Sequence, residues 1–247
     1  MRLIHGSTGD EDPAVELAVS MALVRQASRG EVDDTLRVYH PSAPVVAFGR
    51  RDTRLPGFAR AVDRAREAGF APLVRSVGGR AVAYTQSALV LDVIGRAEDP
   101  TTGMEDRFEE LGQRYAAALR TLGVDARVGA VPGEYCPGAQ SVNARGVVKL
   151  IGTAQRVVRD AWLFSALVVV TDHEPLRPLV GDVYRLLEQP FDEQSVGSVT
   201  GEVPGLTPAV VEAALLGTHT HGQALETAQL DAATRDLARE LAADHRA

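Results

Sequence analysis

The chain has 247 residues, of which 45% are apolar and 24% charged, and it carries a net charge of −7. This is the make-up of a globular protein with room for one large core or two modest ones, and the acidic balance disfavours nucleic acid as a partner, because neutralising phosphates takes concentrated Lys and Arg. A single cysteine excludes an internal disulfide, residues 1–12 lack the apolar run of a signal peptide, and no eighteen uncharged apolar residues stand in a row, so the expectation is a soluble, cytoplasmic protein off the membrane.

Pro13 to Arg29 follows the acidic Asp10-Glu11-Asp12 and repeats apolar residues at helical spacing, which predicts a helix. Thr35 to Tyr39 and Pro44 to Phe48, separated by His40-Pro41-Ser42, read as the two strands of a hairpin. Pro56 to Ala68 is helical with Gly69 as its stop, and Pro72 to Arg75 starts another strand. Ala81 to Tyr84 and Ala88 to Ile94 suit buried strands; Met104 to Leu122 suits an amphipathic helix ended by Gly123.

Ala126 to Ala130 reads as a strand, and the Pro- and Gly-rich residues 131–139 must be a loop. Val142-Asn143 and Val147 to Ile151 form a tight hairpin through Ala144-Arg145-Gly146, with Gln155 to Val158 and Leu163 to Thr171 as further strands. Helices prevail from Pro175: Pro175 to Leu187, Pro208 to Leu216 and Ala224 to Ala243, with residues 191–206 as a loop. The expected fold class is α+β (α/β), a mixed β-sheet core flanked by helices. No linker divides the chain, so residues 1–247 are expected to form a single domain, with the helices after about residue 172 packed on the sheet.

Three features stand out against this scaffold. Between Arg50 and Arg80 lie eight arginines against three acidic residues; this reads either as a solvated arginine face or as a docking surface for an acidic protein or anionic ligand. Lys149 is the only lysine among 26 basic residues. Arginine supplies charge equally well, but not a compact, rotatable ammonium whose pKa can be tuned. Cys136, the only cysteine, sits in the 131–139 loop. A lone cysteine is usually a small buried hydrophobe, yet a Pro-Gly loop makes poor core and favours exposure. Tyr135 beside it suits either a packing ring or a lid. The His219-x-His221 pair lacks nearby Cys or carboxylate partners and reads as a solvated helix connection, with no metal site.

Leu73-Val-Arg-Ser-Val-Gly-Gly-Arg-Ala-Val82 resembles the Arg-x-Ser-Gly-Gly motif of the lipoate-protein ligase and octanoyltransferase family. Asn143 to Gln155 is similar to that family's Asn-Gly-Lys-Lys-Ile-x-Gly-x-x-Gln hairpin. Glu134-Tyr-Cys-Pro-Gly138 resembles the cysteine loop of its branch that transfers octanoyl groups from the glycine-cleavage H protein, and Val46 to Pro56 is similar to a segment near the start of that branch. The resemblance runs from about Thr35 to Val170 and more weakly through Ser198. It implies a catalytic domain of the biotin/lipoate protein ligase kind, with Cys136 and Lys149 as catalytic residues. Arg75, Ser76, Gly78, Gly79, Arg80, Gly152 and Gln155 are implied as substrate-binding. The implied donor is glycine-cleavage H protein or acyl carrier protein, and the implied acceptors are lipoyl domains of 2-oxoacid dehydrogenases; no cofactor is called for. Where ligases of the family carry a third glycine and a His-Asp pair, this chain has Arg80 and Ala83-Tyr84-Thr85.

The chemistry expected of such a pair is thioester exchange. A thiolate at Cys136 takes the acyl group, and a lysine amine of a second protein then takes it as an amide. A cysteine of pKa about 8.5 is only about 3% thiolate at neutral pH, so a cation beside it raises the reactive fraction; Lys149 is the expected cation, and it would also polarise the acyl oxygen. The six or so methylenes of an octanoyl chain, at about 0.8 kcal/mol each, supply on the order of 5 kcal/mol when buried. Two other functions remain open: an ATP-dependent lipoate ligase in which Lys149 steadies an acyl-adenylate and Cys136 is incidental, and a catalytically idle acyl-binding module.

Overall fold

The computed structural model describes residues 1–220 and 225–247. Its elements in chain order are β1 (Arg2–His5), α1 (Pro13–Ser28), β2 (Thr35–Tyr39), β3 (Val45–Phe48), α2 (Phe58–Glu67), β4 (Ala71–Val74), β5 (Val82–Tyr84), β6 (Leu89–Arg96), α3 (Met104–Thr121) and β7 (Ala126–Val128). These are followed by β8 (Val142–Ala144), β9 (Val148–Val158), β10 (Ala161–Val168), α4 (Leu176–Leu186), α5 (Val199–Glu202), α6 (Pro208–Gly217), β11 (Glu226–Ala228) and α7 (Ala232–Leu241).

The strands form two sheets. An eight-stranded mixed sheet runs β11-β1-β2-β6-β10-β9-β8-β7, and a three-stranded sheet runs β4-β3-β5. In the large sheet β1 lies parallel to both β11 and β2, whereas the pairs from β2 through β7 are antiparallel. Alternation along the strands sends successive side chains to opposite faces. Leu36 and Val38 of β2, Leu89 and Leu91 of β6, and Phe164 and Ala166 of β10 enter one core with α3 and α6. Ile94 and Leu163 face a second core containing α1, the small sheet, α2 and α4.

Helix α1 begins where Asp12 caps the Ala14 amide at 2.9 Å and Pro13 fills the first turn, a position that needs no N–H. It is buried on nearly every side because the sheet covers one flank and α7 the other. Arg37 of β2 pairs in the core with Glu16 of α1, and Ser20 bonds both Arg37 and Asp92 of β6. Among the later helices, α4 lies against α2 and β5, α6 against α3, and α7 against α1.

Several expected boundaries move. Thr35–Tyr39 and Val45–Phe48 are strands but not a hairpin: β2 joins the large sheet and β3 the small one, so His40-Pro41-Ser42 carries the chain between sheets. Gln155 to Val158 is the far end of the eleven-residue β9 and not a separate strand. The helix expected over Ala224–Ala243 divides: Glu226–Ala228 pairs with β1, and helix begins only at Ala232, where Asp231 caps Thr234 N at 2.7 Å. Ala224 itself lies outside the described residues. Strand β1 was not expected from the sequence at all.

Candidate active site

Four segments converge beside the inner strands of the large sheet: the turn after β4, the N-terminal turns of α3, the 131–139 loop and β9. The two adjacent glycines of the first segment set the geometry. Gly79 has φ +104°, and a Cβ there would come within 2.3 Å of Arg75 Nη2 and 2.5 Å of Cys136 Sγ; only glycine fits. Gly78 donates to the Gln155 carbonyl oxygen at 3.2 Å, which ties the turn to β9.

Cys136 is partly buried, and its sulfur accepts from Arg75 Nη2 at 3.1 Å and from the Arg80 amide at 3.2 Å. Arg75 also donates to the Arg80 carbonyl oxygen at 2.7 Å, so the guanidinium braces the turn that presents the amide. Burial pushes the thiol up, but the Arg75 charge, then that of Lys149, then the hydrogen bonds from Arg80 and Arg75, outweigh it and hold the thiol below its ordinary value. The backbone of Cys136 is left-handed at φ 43°. Its N–H donates to Tyr184 Oη of α4 at 2.6 Å, and that hydroxyl donates onward to the Ala81 carbonyl oxygen at 2.9 Å.

Lys149 is 1% exposed. Its ammonium donates to the carbonyl oxygens of Tyr135 at 3.0 Å and Cys136 at 2.8 Å and lies 3.1 Å from Glu134 Oε2. The loop therefore wraps around the lysine, with Tyr135 packed as a ring 4.9 Å from Nζ. Burial lowers the lysine's pKa, and the charges of Glu134 and Cys136 restore only part of the shift. Glu134, fully buried, accepts through Oε1 from Gly138 N at 3.1 Å and Ser141 Oγ at 3.2 Å. Gly152 sits beside the lysine: a Cβ there would lie 3.3 Å from Lys149 Cε.

The sulfur opens onto a cavity of about 570 Å³ walled by Gly78, Gly79, Met104, Phe108 and Ala154, within the roughly 300–1,000 Å³ range of small-molecule sites. Gln155 fastens the rim, accepting from Arg107 Nε at 3.0 Å and donating to the Met104 carbonyl oxygen at 2.7 Å. Arg80 turns its guanidinium away to Asp52 at 3.1 Å. Ser76 lines a second, adjoining cavity. Asn143 of the hairpin motif serves the turn, donating to the Gly129 carbonyl oxygen and accepting from Gly146 N.

Glu134, Tyr184 and Asp52 were not picked out by sequence reasoning. Glu134 carried a signal, being part of the quoted loop motif; Tyr184 carried none, since its partners lie 48 and 103 residues away. His219, expected to be solvated, is 3% exposed and bonds Tyr115 Oη at 3.0 Å, while His221 lies outside the described residues. No group of three or more His, Cys, Asp or Glu suited to a metal occurs among the described residues, and none of the described helices is long and apolar enough to cross a membrane.

Residues 12–217 match the family model of the lipoyl protein ligase A/B catalytic domain. The chain belongs to that family. Among curated proteins, it is 30% identical over 148 residues to octanoyl-GcvH:protein N-octanoyltransferase of Geobacillus kaustophilus, covering 60% of this chain and 52% of that one. The chain spans about half the length of the first such relatives it matches. It is also 28% identical to the octanoyltransferase LipM of Kyrpidia tusciae, over 99% of this chain and 95% of that one. The fold is that of a lipoate-protein ligase A crystallised with ATP, at TM-score 0.78 and 23% identity over 98% and 94% of the two chains. A bipartite lipoate protein ligase from Thermoplasma acidophilum superposes at TM-score 0.72 and 21% identity, over 98% and 92%. The mixed sheet flanked by helices is thus the lipoyl ligase catalytic fold.

Proposed function

We propose that this chain is an acyltransferase of protein lipoylation, moving an octanoyl or lipoyl group from a carrier protein to a lipoyl-domain lysine through a thioester at Cys136. The observation that carries the reading is a sulfur held by a guanidinium and a backbone amide at the mouth of a cavity whose lining includes Met104, Phe108 and Ala154. The octanoyltransferase names of the relatives support it, and one of those relatives matches over nearly the whole chain.

In the first half-reaction the Cys136 thiolate attacks the donor's acyl carbon. The carbon–sulfur bond forms, the bond to the donor heteroatom breaks, and the leaving group takes a proton. In the second, the neutral amine of the acceptor lysine attacks the thioester, an amide forms, the amine gives up a proton, and the thiolate returns to its bonds from Arg75 and Arg80. Those two donors stabilise the sulfur whenever it carries charge. Lys149 adds the second nearby cation and holds the loop that presents the sulfur. Glycine-cleavage H protein or acyl carrier protein fits as donor and a lipoyl domain as acceptor, all within the cytosol, and residues 1–247 act as one catalytic unit.

The test omits ATP. Octanoylated donor, lipoyl domain and this protein are mixed, and peptides are followed by mass. The expected result is a transient octanoyl mass on the Cys136 peptide followed by octanoyl on the acceptor. Transfer that requires ATP and releases pyrophosphate, with no mass on Cys136, would overturn the reading in favour of a ligase.

A further inference from the structure

Helix α4 buries Leu176, Leu179, Val180, Val183 and Tyr184, and of these Tyr184 alone carries a polar side-chain atom. A phenol hydroxyl taken out of water must find partners. Here both partners are backbone groups of the thiol site: Oη accepts from the Cys136 amide at 2.6 Å and donates to the Ala81 carbonyl oxygen at 2.9 Å. One buried oxygen therefore ties the cysteine loop to the turn whose Arg80 amide donates to the sulfur.

The hydroxyl is anchored because α4 is held along its last turns. A Cβ at Gly57 would come within 1.7 Å of the Leu186 carbonyl oxygen, so the end of α4 lies in backbone contact with the residue that opens α2. Arg64 of α2 holds Asp182 at 2.8 Å, and the Phe191 ring packs on that of Tyr184 with centroids 5.0 Å apart. The cysteine, by contrast, depends on being held. Its left-handed backbone, at φ 43°, is one that a residue with a side chain keeps only where its surroundings impose it. Those surroundings grip both backbone groups: Tyr184 takes the N–H, and Lys149 donates to the carbonyl oxygen at 2.8 Å. Of the two, Tyr184 is the one bonded also to the turn.

We propose that Tyr184 is a positioning residue for acyl transfer: its hydroxyl clamps the Cys136 amide to the Ala81 carbonyl group and so sets the sulfur against the Arg75 guanidinium and the Arg80 amide. This rests on Cys136 being the acyl acceptor. The hydroxyl acts through the backbone and takes no proton in either half-reaction. Because it engages the Cys136 N–H, that amide is not a donor for the acyl oxygen. Without the hydroxyl the loop and the turn lose their shared tie, the two donors are no longer held at bonding distance from the sulfur, and the neutral thiol gains over the thiolate. Tyr184 does not line the acyl cavity, so its loss is read in the chemical step and not in binding.

Tyr184→Phe keeps the ring and removes the hydroxyl. It is expected to lower kcat for octanoyl transfer to a lipoyl domain by about tenfold or more, with KM within about twofold of native, and to move the iodoacetamide alkylation profile of Cys136 to higher pH. Phe191→Leu thins the packing on the same ring but keeps the hydroxyl; it is expected to lower the urea midpoint and leave kcat and the alkylation profile native. If Tyr184→Phe does the same, the hydroxyl serves folding alone and the proposal is overturned. A second measurement needs no variant: in the native protein the Cys136 amide is expected to exchange with solvent about tenfold or more slowly than that of exposed Ala139, after correction for intrinsic rates. Equal rates would remove the clamp. Native protein that shows the slow amide, with the alkylation shift in Tyr184→Phe, but takes no octanoyl group at Cys136 would sink the thioester reading and not the clamp.

Discussion

Replacing Lys149 with methionine is expected to destabilise the protein by about 3–5 kcal/mol and to slow acyl transfer by about 10² or more. The first effect comes from Glu134, which is fully buried beside the ammonium; removing one partner of a buried pair leaves the other charge uncompensated. The second follows from the loss of a fixed cation near the sulfur and of the donor that holds the Tyr135 and Cys136 carbonyl groups, an electrostatic loss of the size seen when a preorganised donor is removed. The two effects separate in the double variant Lys149→Met/Glu134→Gln. Glutamine still offers an oxygen to Gly138 N and Ser141 Oγ but buries no charge, so urea unfolding should return to within about 1 kcal/mol of native. Transfer should stay low. A double variant that recovers both would show that Lys149 contributes only to folding.

Arg75→Gln is expected to raise the Cys136 pKa, since it removes the larger of the two charges that favour the thiolate and keeps a side-chain donor. The sign is fixed: without the cation the neutral thiol gains, so less thiolate exists at neutral pH and more alkali is needed to form it. The remaining thiolate is intrinsically more nucleophilic, with a Brønsted coefficient of about 0.4–0.5, which offsets part of the loss. Alkylation by iodoacetamide near neutral pH should therefore fall severalfold and recover as the pH is raised. Arg75→Lys should keep much of the low pKa. An alkylation profile unchanged in Arg75→Gln would remove the guanidinium from the account.

How far the site was legible depended on the range of the contacts involved. Cys136 and Lys149 could be singled out by rarity and by a motif, and they do meet; Gly78 and Gly79 could be read from two adjacent glycines. What Arg75 touches could not be read, because its contact with Cys136 spans 61 residues and joins two loops. The expectation that Lys149 is the cation at the sulfur needed the same revision: its donors point to loop carbonyls and Glu134, and the larger electrostatic effect is that of Arg75. In the fold, elements with strong local periodicity such as α1, α3 and β10 lie close to where they were expected. The misses were elements whose identity depends on partners. β1 has four residues, including Arg2 and His5, and exists by pairing with strands that begin 33 and 224 residues later. β11 was absorbed into a helix because Glu226-Thr-Ala228 lies among helix-forming residues, although Asp231 marks the true start. The β2–β3 hairpin failed because a short polar turn does not say which sheet the second strand will enter.

The left-handed backbone at Cys136 sets the proposed use of this residue as a nucleophile against the protein's heat resistance. At most positions glycine lowers stability relative to alanine by about 0.5–1 kcal/mol. With φ at 43°, any side chain carries a penalty of roughly 1–2 kcal/mol that glycine escapes. Cys136→Gly should therefore melt at a higher temperature than Cys136→Ala, although both lack the sulfur. The reverse order in calorimetry would show that the loop relaxes once the thiol is gone. A gain for glycine would mean that the proposed nucleophile occupies a position whose backbone suits an inert residue better than one with a side chain.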